Sequence, residues 1–407
     1  MSYIAPAGTA MSAQDLLAGL RRGLDPDAGE ALSAMMRRVS GLPHCWSVSS
    51  GRAAMTLILH AMRAARSDPQ RDEVLIPAYT CYSVPAAIAR AGLRPRLCDV
   101  DPETLAMCPD ALARADFSRV LTVVSSNLYG IPNPLEDYES IAARNGTWLL
   151  DDAAQALGAS LDGRAVGSFG EAGLYSFDKG KVICTIQGGA IVAKHGVVAE
   201  ALEHLLADLP SSAAVESGTN TAKLVIYTLC LRPAVYDLVR RLPFLGLGRT
   251  VFETRYPVTR LGRPQTGVAA ELMGRLDALA DIRRSNATSL ADSLDGLPHV
   301  KLPRLPAGSV SAFVRYPIRI TDPAFRDRAI ADLEAAGIGA TASFPCALVD
   351  VPEVAALLRY PAPHTPGARA VASQIVTLPT HGYCPPGMAL RVRGILERAS
   401  PALLLAA

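Results

Sequence analysis

The eight cysteines of this 407-residue chain form no CxxC pair, and the seven histidines show no spacing typical of metal ligands. The cysteines are scattered, at positions 45, 81, 98, 108, 184, 230, 346 and 384. A disulfide framework and a metal site are therefore not predicted. We expect reduced thiols that are mostly buried as small apolar groups.

Long apolar runs and strong charge are also missing. No stretch of about 18 or more apolar residues lacks a charge or a proline, so no membrane-spanning helix is predicted. The opening MSYIAPAGTAMSAQ has no basic segment followed by an apolar one, which argues against secretion and favours the cytoplasm. The net charge is +2 without a long Lys/Arg run, so nucleic acid is not an expected partner.

Hydrophobic residues make up 50% of the chain, which is enough for a large core divided between two domains. Short apolar runs alternate with helical patterns from residue 48 to about 192. The strand-like runs are VLIP (74–77), PRLCDV (95–100), RVLTVVS (119–125), TWLLD (147–151), AGLYSF (172–177) and AIVA (190–193). Such alternation predicts an α/β fold with a mostly parallel sheet and ligands at the carboxyl ends of its strands.

One segment, residues 151–192, combines an acidic pair at a strand end with a downstream lysine and a glycine pair. Pyridoxal phosphate (PLP) chemistry needs these groups, because a lysine amine condenses with the cofactor aldehyde and a carboxylate keeps the pyridine nitrogen protonated. Taken alone, the same residues also suit a surface acid pair and a solvated lysine.

The order of motifs in this segment resembles the DegT/DnrJ/EryC1/StrS aminotransferases. The motifs are DAAQALGA, GSFG, SF with a lysine four residues past the Phe, and GG seven residues past that lysine. The resemblance implies a fold-type I PLP-dependent transferase, with a large domain of mostly parallel sheet flanked by helices and a smaller C-terminal α/β domain. Members mostly aminate keto-sugars carried on nucleotides.

The domain organisation predicted from these patterns has five parts. They are a helical N-terminal lead-in (1–47), a large PLP-binding domain (48–207), an atypical apolar insertion (208–262), a linking helix (263–297) and a small C-terminal domain (298–407). Within the small domain, 313–320 is predicted as a strand, 326–336 as a helix and 386–396 as a closing helix.

The resemblance assigns the central chemistry to two residues. Lys181 fits the family spacing for the lysine that forms the Schiff base, and its neighbour Lys179 does not. Asp152, directly before AAQ, matches the aspartate that pairs with the pyridine nitrogen, which leaves Asp151 as a helix cap or a solvated neighbour. Gln155 matches a residue near the ring substituents of the cofactor.

A phosphate group needs backbone N–H donors at the start of a helix, and SSGRA (49–53) opens a helical run. The family has a Gly-containing turn here, so Gly51, Arg52 and Ala53 are carried over as backbone donors. Ser176, five residues before Lys181, matches a hydroxyl that hydrogen-bonds the phosphate. A serine in a buried strand could equally have its hydroxyl bonded within the core.

Three positions depart from the family pattern. Cys81 stands where an aromatic ring usually stacks on the cofactor, so stacking moves to Tyr82 or is lost. Asn127 of NLYG replaces a common histidine and is expected to line the pocket. Arg260 matches an arginine that reaches the phosphate region of the partner subunit, whereas Val258 occupies the position of the accompanying asparagine. We expect a homodimer with a shared active site.

The insertion contains an apolar run before Arg232-Pro233 that is too short to cross a bilayer, and a second run after it with a pattern typical of interfacial helices. Two short helices packed on the main domain would explain this insertion. Weak membrane contact through 221–248 would also explain it, because Arg240-Arg241 stands among leucines.

The leading functional prediction is an aminotransferase that uses an amino acid, most often glutamate in this family, and a nucleotide-linked keto-deoxyhexose. A sugar dehydratase fits less well, since dehydrating members usually have histidine in place of the lysine. The sequence also leaves room for an enzyme that acts on a non-sugar carbonyl, and for a non-catalytic regulatory or membrane-associated scaffold.

Overall fold

The computed structural model describes residues 3–239 and 251–399. In these ranges the strands are β1 (His44–Val48), β2 (Glu73–Pro77), β3 (Arg94–Cys98), β4 (Val120–Ser126), β5 (Trp148–Asp152), β6 (Ser160–Leu161), β7 (Arg164–Ala165), β8 (Ala172–Ser176), β9 (Gly189–Ala193), β10 (Val300–Lys301), β11 (Ser309–Val310), β12 (Tyr316–Ile320) and β13 (Ile375–Leu378). The helices of the N-terminal half are α1 (Ala13–Arg22), α2 (Ala28–Ser40), α3 (Gly51–Ala65), α4 (Ser83–Arg90), α5 (Pro109–Ala113), α6 (Leu135–Arg144) and α7 (Val197–Ala207). Those that follow are α8 (Ala214–Cys230), α9 (Pro233–Val239), α10 (Arg263–Met273), α11 (Leu276–Leu294), α12 (Pro323–Ala335), α13 (Pro352–Ala355), α14 (Pro366–Gln374) and α15 (Met388–Ala399).

A seven-stranded sheet in the order β1-β9-β8-β5-β4-β2-β3 forms the centre of the large domain. Its strands run parallel except β9, which is antiparallel to both β1 and β8. All residues of β2, β4, β8 and β9 are buried. Burial on both faces explains their continuous apolar runs, which is typical of parallel sheets covered by helices. The mostly parallel α/β prediction is confirmed.

Alternation along β2 shows how the two cores form. Val74 and Ile76 belong to one buried cluster, and Leu75, between them, belongs to another. Successive side chains of a strand point to opposite faces, so the clusters cover the two sides of the sheet.

A second sheet, antiparallel in the order β10-β12-β13, lies in the C-terminal part with its own apolar core from α11, α12 and α15. A third small sheet, β11-β6-β7, joins this part to the large domain, because Ser309 and Val310 pair with Leu161 and Ser160.

Two predicted boundaries differ in the structure. The helical lead-in over 1–47 ends earlier, since His44–Val48 forms β1 at the edge of the large sheet. Three of its five side chains are partly exposed, so this strand carries no continuous apolar run to reveal it. The linking helix is two helices, α10 and α11, because Gly274 ends the first by donating to Ala270 O and Glu271 O. Eight of the eleven residues of α10 are buried, whereas α11 buries only one face.

The segment predicted as an insertion begins as α8 and α9, while residues 240–250, including Arg240-Arg241, lie outside the described residues. α8 buries Asn220, Leu224 and Thr228 against the large domain, and the Asn220 amide donates to Gln187 Oε1 at 2.6 Å. Its other face exposes Val225, Ile226 and Leu229. Among the described helices, none is long and apolar enough to cross a bilayer.

Candidate active site

The carboxyl ends of five parallel strands bring the predicted site residues to one edge of the large sheet. β1 leads into the turn before α3, β2 into the Tyr79–Tyr82 loop, and β4 into NLYG. β5 ends on Asp152, and β8 ends on Ser176, just before the Lys181 loop. This edge is where α/β sheets bind their ligands.

Two adjacent aspartates at the end of β5 have different environments. Asp151 is fully buried and accepts bonds from Gly167 N (2.5 Å), Phe169 N (3.3 Å) and Asn127 Nδ2 (2.7 Å). Burial raises the pKa of Asp151 to about 7, and its three donors act in the opposite direction. Asp151 therefore anchors the GSFG loop, and its prediction as a cap or solvated neighbour is wrong.

Asp152 has fewer protein partners and a positive neighbour. Ala154 N donates to its Oδ1 at 3.0 Å, and Ser126 Oγ reaches its Oδ2 only at 3.5 Å. Burial raises the pKa of Asp152, while the Lys181 ammonium lowers it. A buried carboxylate with one well-bonded oxygen is suited to a cationic ligand group.

Lys181 lies in the loop between β8 and β9, half-buried, whereas Lys179 is exposed to solvent. The backbone of this loop is held from three sides. Thr9 Oγ1 donates to Lys181 O at 2.9 Å, and Arg283 Nη2 donates to the same oxygen at 3.2 Å. Tyr227 of α8 hydrogen-bonds the backbone of Gly180. The N-terminal segment before α1, α11 and α8 thus share in fixing the lysine loop.

Arg283 is the centre of this arrangement, since it is fully buried among oxygen acceptors. Besides Lys181 O, its guanidinium donates to Gly8 O (2.5 Å), Val314 O (3.2 Å) and Thr380 Oγ1 (3.5 Å). No described carboxylate lies within ion-pair distance of it, and burial lowers the pKa of Arg283 to about 10.

We expect Arg283→Met to lower the free energy of unfolding by about 3 kcal/mol or more, because several buried carbonyls would lose a charged donor. Chemical denaturation monitored by circular dichroism measures this. The matched control is Arg284→Met, which removes a surface ion pair with Asp281 and should cost about 1 kcal/mol or less. Equal losses for the two variants would contradict the prediction.

The turn before α3 forms an open cradle for an anion. Ser50 caps the helix by accepting from Ala53 N at 3.1 Å, so the free N–H groups are those of Gly51 and Arg52, which donate to no described residue. A Cβ added at Gly51 would lie 2.9 Å from Ser176 Cβ and 3.2 Å from Ser176 Oγ. The Ser176 side chain therefore stands directly against the helix N-terminus, and Ala53 N is already occupied.

Gly189, the second glycine of the GG pair, packs directly against the turn before α3. A Cβ at Gly189 would lie 2.7 Å from the Ser50 carbonyl carbon and 2.8 Å from Gly51 N. β9 can thus pass behind the turn only without a side chain at this position.

We expect Gly51→Ala to weaken binding of pyridoxal phosphate at least about tenfold, because the new methyl group displaces Ser176 and crowds the free N–H groups. Fluorescence titration of the unloaded protein with the cofactor measures the affinity. Gly29→Ala near the start of α2 is the control, since a Cβ there meets nothing within 4 Å. Unchanged affinity in Gly51→Ala would refute the assignment.

The side chain of Arg52 points away from this cradle. It pairs with Glu253 at 3.1 Å, and its guanidinium stacks 4.7 Å from the centre of the Tyr256 ring. Only its backbone N–H is available to the proposed phosphate.

Aromatic side chains form a wall beside the Asp152 edge. Tyr79 is fully buried, with Phe344 N donating to its hydroxyl at 2.5 Å, and its hydroxyl lies 3.4 Å from that of Tyr129. The Tyr82 ring packs against Phe344 with a centroid distance of 6.3 Å. Cys81, which lies between Tyr79 and Tyr82 along the chain, is partly exposed.

The amides of Gln155 and Asn127 are used differently. Gln155 Oε1 accepts from Tyr129 N at 3.0 Å, while its amide nitrogen donates to no described residue. Asn127 Nδ2 donates to Asp151 Oδ1 and Asp152 O, and Asn127 Oδ1 accepts from Asn133 N. Asn127 therefore ties the ends of β4 and β5 together, and its hydrogen bonds point into the protein.

Arg260 caps a helix of its own chain. Its Nη2 donates to Leu206 O (2.8 Å) and Ala207 O (3.2 Å), and its Nε donates to Leu209 O (3.1 Å), at the end of α7. In this arrangement the guanidinium is already occupied within the protomer.

The model of the DegT/DnrJ/EryC1/StrS aminotransferase family matches residues 27–224 and 235–394. The chain belongs to this family.

Two curated relatives are similar to the chain in sequence, and one solved structure is similar to it in fold. An L-glutamine:2-deoxy-scyllo-inosose aminotransferase from Streptomyces kanamyceticus is 31% identical over 62% of this chain and 52% of that protein. A UDP-N-acetyl-3-dehydro-alpha-D-glucosamine 3-aminotransferase from Acidithiobacillus ferrooxidans is 26% identical over 90% of this chain and 88% of that protein. The chain spans 52–65% of the length of the first inosose aminotransferases it matches.

The solved structure is that of GDP-4-keto-6-deoxy-D-mannose-3-dehydratase from E. coli with bound hydrated PLP. It has a TM-score of 0.76 and 19% identity, over 97% of this chain and 100% of that chain. At this identity the likeness shows the fold alone, and the fold confirms the fold-type I prediction.

The residues of this family member fit pyridoxal phosphate, the cofactor of the DegT family. The Gly51 cradle offers two free N–H groups and the Ser176 hydroxyl to a phosphate, and buried Asp152 offers a carboxylate to a ring N–H. Lys181 is close enough to lower the pKa of Asp152. No group of three or more possible metal ligands occurs in the described ranges.

Sequence reasoning missed several residues at this site. Tyr129 is two residues after Asn127 in NLYG and adopts φ 59°. The NLYG motif was the signal that could have identified it. Arg283 and Thr9 gave no local signal, because their contacts with Lys181 span 102 and 172 residues.

Proposed function

We propose that the protein is a PLP-dependent aminotransferase that moves an amino group from an amino acid to a keto-sugar. The observation that carries the proposal is the meeting of Lys181, buried Asp152 and the Gly51–Ser176 cradle at one sheet edge. When bound, the cofactor supplies an aldehyde for the amine and a ring that accepts an electron pair.

The residues of the chain would have separate tasks. Gly51 N and Arg52 N bind the phosphate with Ser176 Oγ, and this end orients the ring. Asp152 holds the proton on the pyridine nitrogen, which its buried position favours through charge pairing. Lys181 Nζ takes the proton from the donor α-carbon and returns one to the carbon that receives the amine.

The acceptor we propose is a nucleotide-linked keto-deoxyhexose, with glutamate as donor. Support comes from the relative named for a UDP-linked sugar, which matches along 90% of this chain. The relative named for L-glutamine and 2-deoxy-scyllo-inosose is the reason to assay glutamine and a carbonyl compound without a nucleotide as well.

The test is the absorbance spectrum of the purified, PLP-loaded protein, with and without glutamate or glutamine. We expect a visible cofactor band that one donor removes and a keto-sugar nucleotide restores. Absence of the band after adding PLP would overturn the proposal in favour of a scaffold. A band that neither donor changes would exclude glutamate and glutamine as donors and would favour a different amino donor or another PLP reaction.

We also propose that the protein is a cytoplasmic homodimer with a shared active site. The shared site is suggested by the match of Arg260 to a family arginine that reaches the phosphate region of the partner subunit, and Arg260 would have to leave its contacts with Leu206 O and Ala207 O to do so. Sedimentation at several concentrations tests the dimer, and a monomer that retains full turnover would exclude a shared site.

A weak membrane contact through 221–248 is a separate proposal. It rests on the exposed apolar row Val225, Ile226 and Leu229 of α8. Flotation with anionic vesicles tests it, with Ile226→Ser as the variant expected to lose binding; absence of wild-type flotation would refute it.

A further inference from the structure

Helix α8, in the segment predicted as an insertion, turns one buried side toward the lysine loop. Asn220 and Thr228 are buried within the helix, and Leu231 is buried directly after it. Tyr227 lies on the same side and packs against the core of the large domain. Residues 225–234 fall between the two parts of the chain that the family model matches. The end of α8 that carries Tyr227 is therefore a feature of this chain outside the family pattern.

This end of α8 holds the N-terminal segment that precedes α1. Thr9 N donates to Tyr227 Oη at 3.3 Å. One turn further on, Leu231 packs tightly against Gly8, since a Cβ added at Gly8 would lie 2.5 Å from Leu231 Cδ2. A hydrogen bond and an apolar contact at adjacent positions thus fix the backbone of residues 8 and 9 against α8.

Thr9 connects α8 to the lysine. Its hydroxyl donates to Lys181 O at 2.9 Å and reaches Val182 O at 3.4 Å, while its backbone nitrogen donates to Tyr227. The side chain of Tyr227 and the backbone of Lys181 are therefore bonded to two groups of the same residue. Thr9 is 1% exposed. Because a buried N–H that loses its acceptor is costly, removal of the Tyr227 hydroxyl is expected to displace Thr9.

Two further contacts run directly from α8 to the lysine loop. Tyr227 hydrogen-bonds the backbone of Gly180, the residue before Lys181. Asn220 Nδ2 donates at 2.6 Å to the side chain of Gln187, just before the glycine pair. Burial raises the pKa of Tyr227, so its hydroxyl keeps its proton. α8 therefore contacts the loop on both sides of Lys181.

The lysine loop needs such support because it has little regular structure of its own. Residues 177–188 form no helix or strand, and Lys181 N donates to Asp178 O at 3.3 Å. A segment with few internal hydrogen bonds depends on its neighbours for a fixed position. Displacing a reacting group by about 1 Å can cost about a hundredfold in rate. The contacts from α8 and Thr9 are therefore expected to affect the chemistry at Lys181.

We propose that Tyr227 is a positioning residue for Lys181, and that α8 is energetically coupled to the cofactor site through Thr9. The inference rests on the proposed aminotransferase function and gives the segment outside the family pattern a part in it. Coupling between two sites is reciprocal. If α8 stabilises the loop geometry in which Lys181 captures PLP, capture of PLP must in turn stabilise α8.

The experiment compares the wild-type protein with Tyr227→Phe and a matched control, Tyr138→Phe. Tyr138 of α6 is also a buried tyrosine, and its hydroxyl donates to Met107 O at 3.3 Å, away from the site residues described above. Stopped-flow absorbance follows the capture of PLP by the unloaded protein and then the donor half-reaction. Calorimetry gives the affinity for pyridoxine phosphate, which has the ring and the phosphate but no aldehyde for Lys181.

We expect Tyr227→Phe to slow PLP capture and to lower the maximal rate of the donor half-reaction, both by about tenfold to a hundredfold. The donor concentration at half-maximal rate should stay within about twofold. Pyridoxine phosphate should bind with wild-type affinity to within about twofold, because no contact of Tyr227 described above involves the Gly51–Ser176 cradle. Tyr138→Phe should behave as wild type in every measurement.

Hydrogen exchange measured by mass spectrometry tests the reciprocal effect. Loading the wild-type protein with PLP should slow amide exchange in residues 214–230 by about fivefold or more, the lower end of typical coupling between two sites. Tyr227→Phe should lose this slowing, because the hydroxyl that joins α8 to Thr9 is gone. Tyr138→Phe should keep it.

Several results would overturn the proposal. One is wild-type PLP capture by Tyr227→Phe. Another is a loss of pyridoxine phosphate affinity as large as the loss in capture rate, which indicates a general structural role. A third is unchanged exchange in α8 when the wild type is loaded. If Tyr227→Phe does not fold, Thr9→Val removes the donor to Lys181 O instead, and wild-type capture by that variant refutes the proposal.

Failure of the aminotransferase function itself would look different. Wild-type protein would then capture PLP but show no donor half-reaction. The capture rates of the variants and the exchange in α8 would still be measurable, and they would decide the coupling independently. A wild-type protein that captures no PLP would overturn both proposals.

Discussion

Replacing Lys181 with alanine is expected to reduce turnover by about a thousandfold or more, because in the proposed mechanism this amine both holds the cofactor and moves the proton. The visible band of the protein with added PLP should change to that of free cofactor, and the donor half-reaction should disappear. Rapid-scan absorbance and a coupled assay for keto-acid release measure these effects.

Lys179→Ala is the control for this result. Lys179 is exposed and stands two residues away on the same loop, so its loss should change turnover by no more than about twofold. If Lys179→Ala abolished the band and Lys181→Ala retained it, the assignment by motif spacing would be wrong.

Asp152→Asn is expected to lower turnover by about a hundredfold to a thousandfold, the range for removing one preorganised electrostatic group. An amide of the same size cannot hold the proton on the ring nitrogen. Its protein contacts are few, with one bond of 3.0 Å and one of 3.5 Å, so the thermal midpoint should change little.

Asp151→Asn is expected to have the opposite effect, lowering stability more than turnover. The carboxylate of Asp151 accepts from two backbone N–H groups and from Asn127, and an amide presents a single oxygen to them. We expect a loss of about 1–3 kcal/mol of stability, with any loss of turnover following from unfolding. Thermal denaturation together with kcat separates the two variants, and identical behaviour would refute the division of roles.

The motif of residues 151–192 predicted both the fold and the position of Lys181 and Asp152, because these residues lie close together along one segment of the chain. Local periodicity likewise predicted β2, β4, β5, β8 and β9 to within a residue or two at most ends. The edge strand β1 was not predicted, since three of its five side chains are partly exposed and it has no continuous apolar run.

Other roles were decided by contacts that no local pattern contains. Asp151 and Asp152 are adjacent and chemically identical, yet opposite faces of β5 place one against the GSFG loop and the other beside Lys181. Arg260 matches a family motif, but its guanidinium donates to a backbone oxygen near the end of α7.

The order of amino acids was enough to predict the family and the mostly parallel fold, both confirmed, and to propose the lysine–aspartate pair, because these depend on apolar periodicity and on motif spacing along one segment. Only the tertiary structure determines which polar groups keep unused hydrogen-bond donors. Arg283 is used by four oxygens drawn from separate parts of the chain, and Arg315 by one within the described ranges. The number of partners a buried charge finds depends on which distant segments pack around it, and packing is a property of the whole fold.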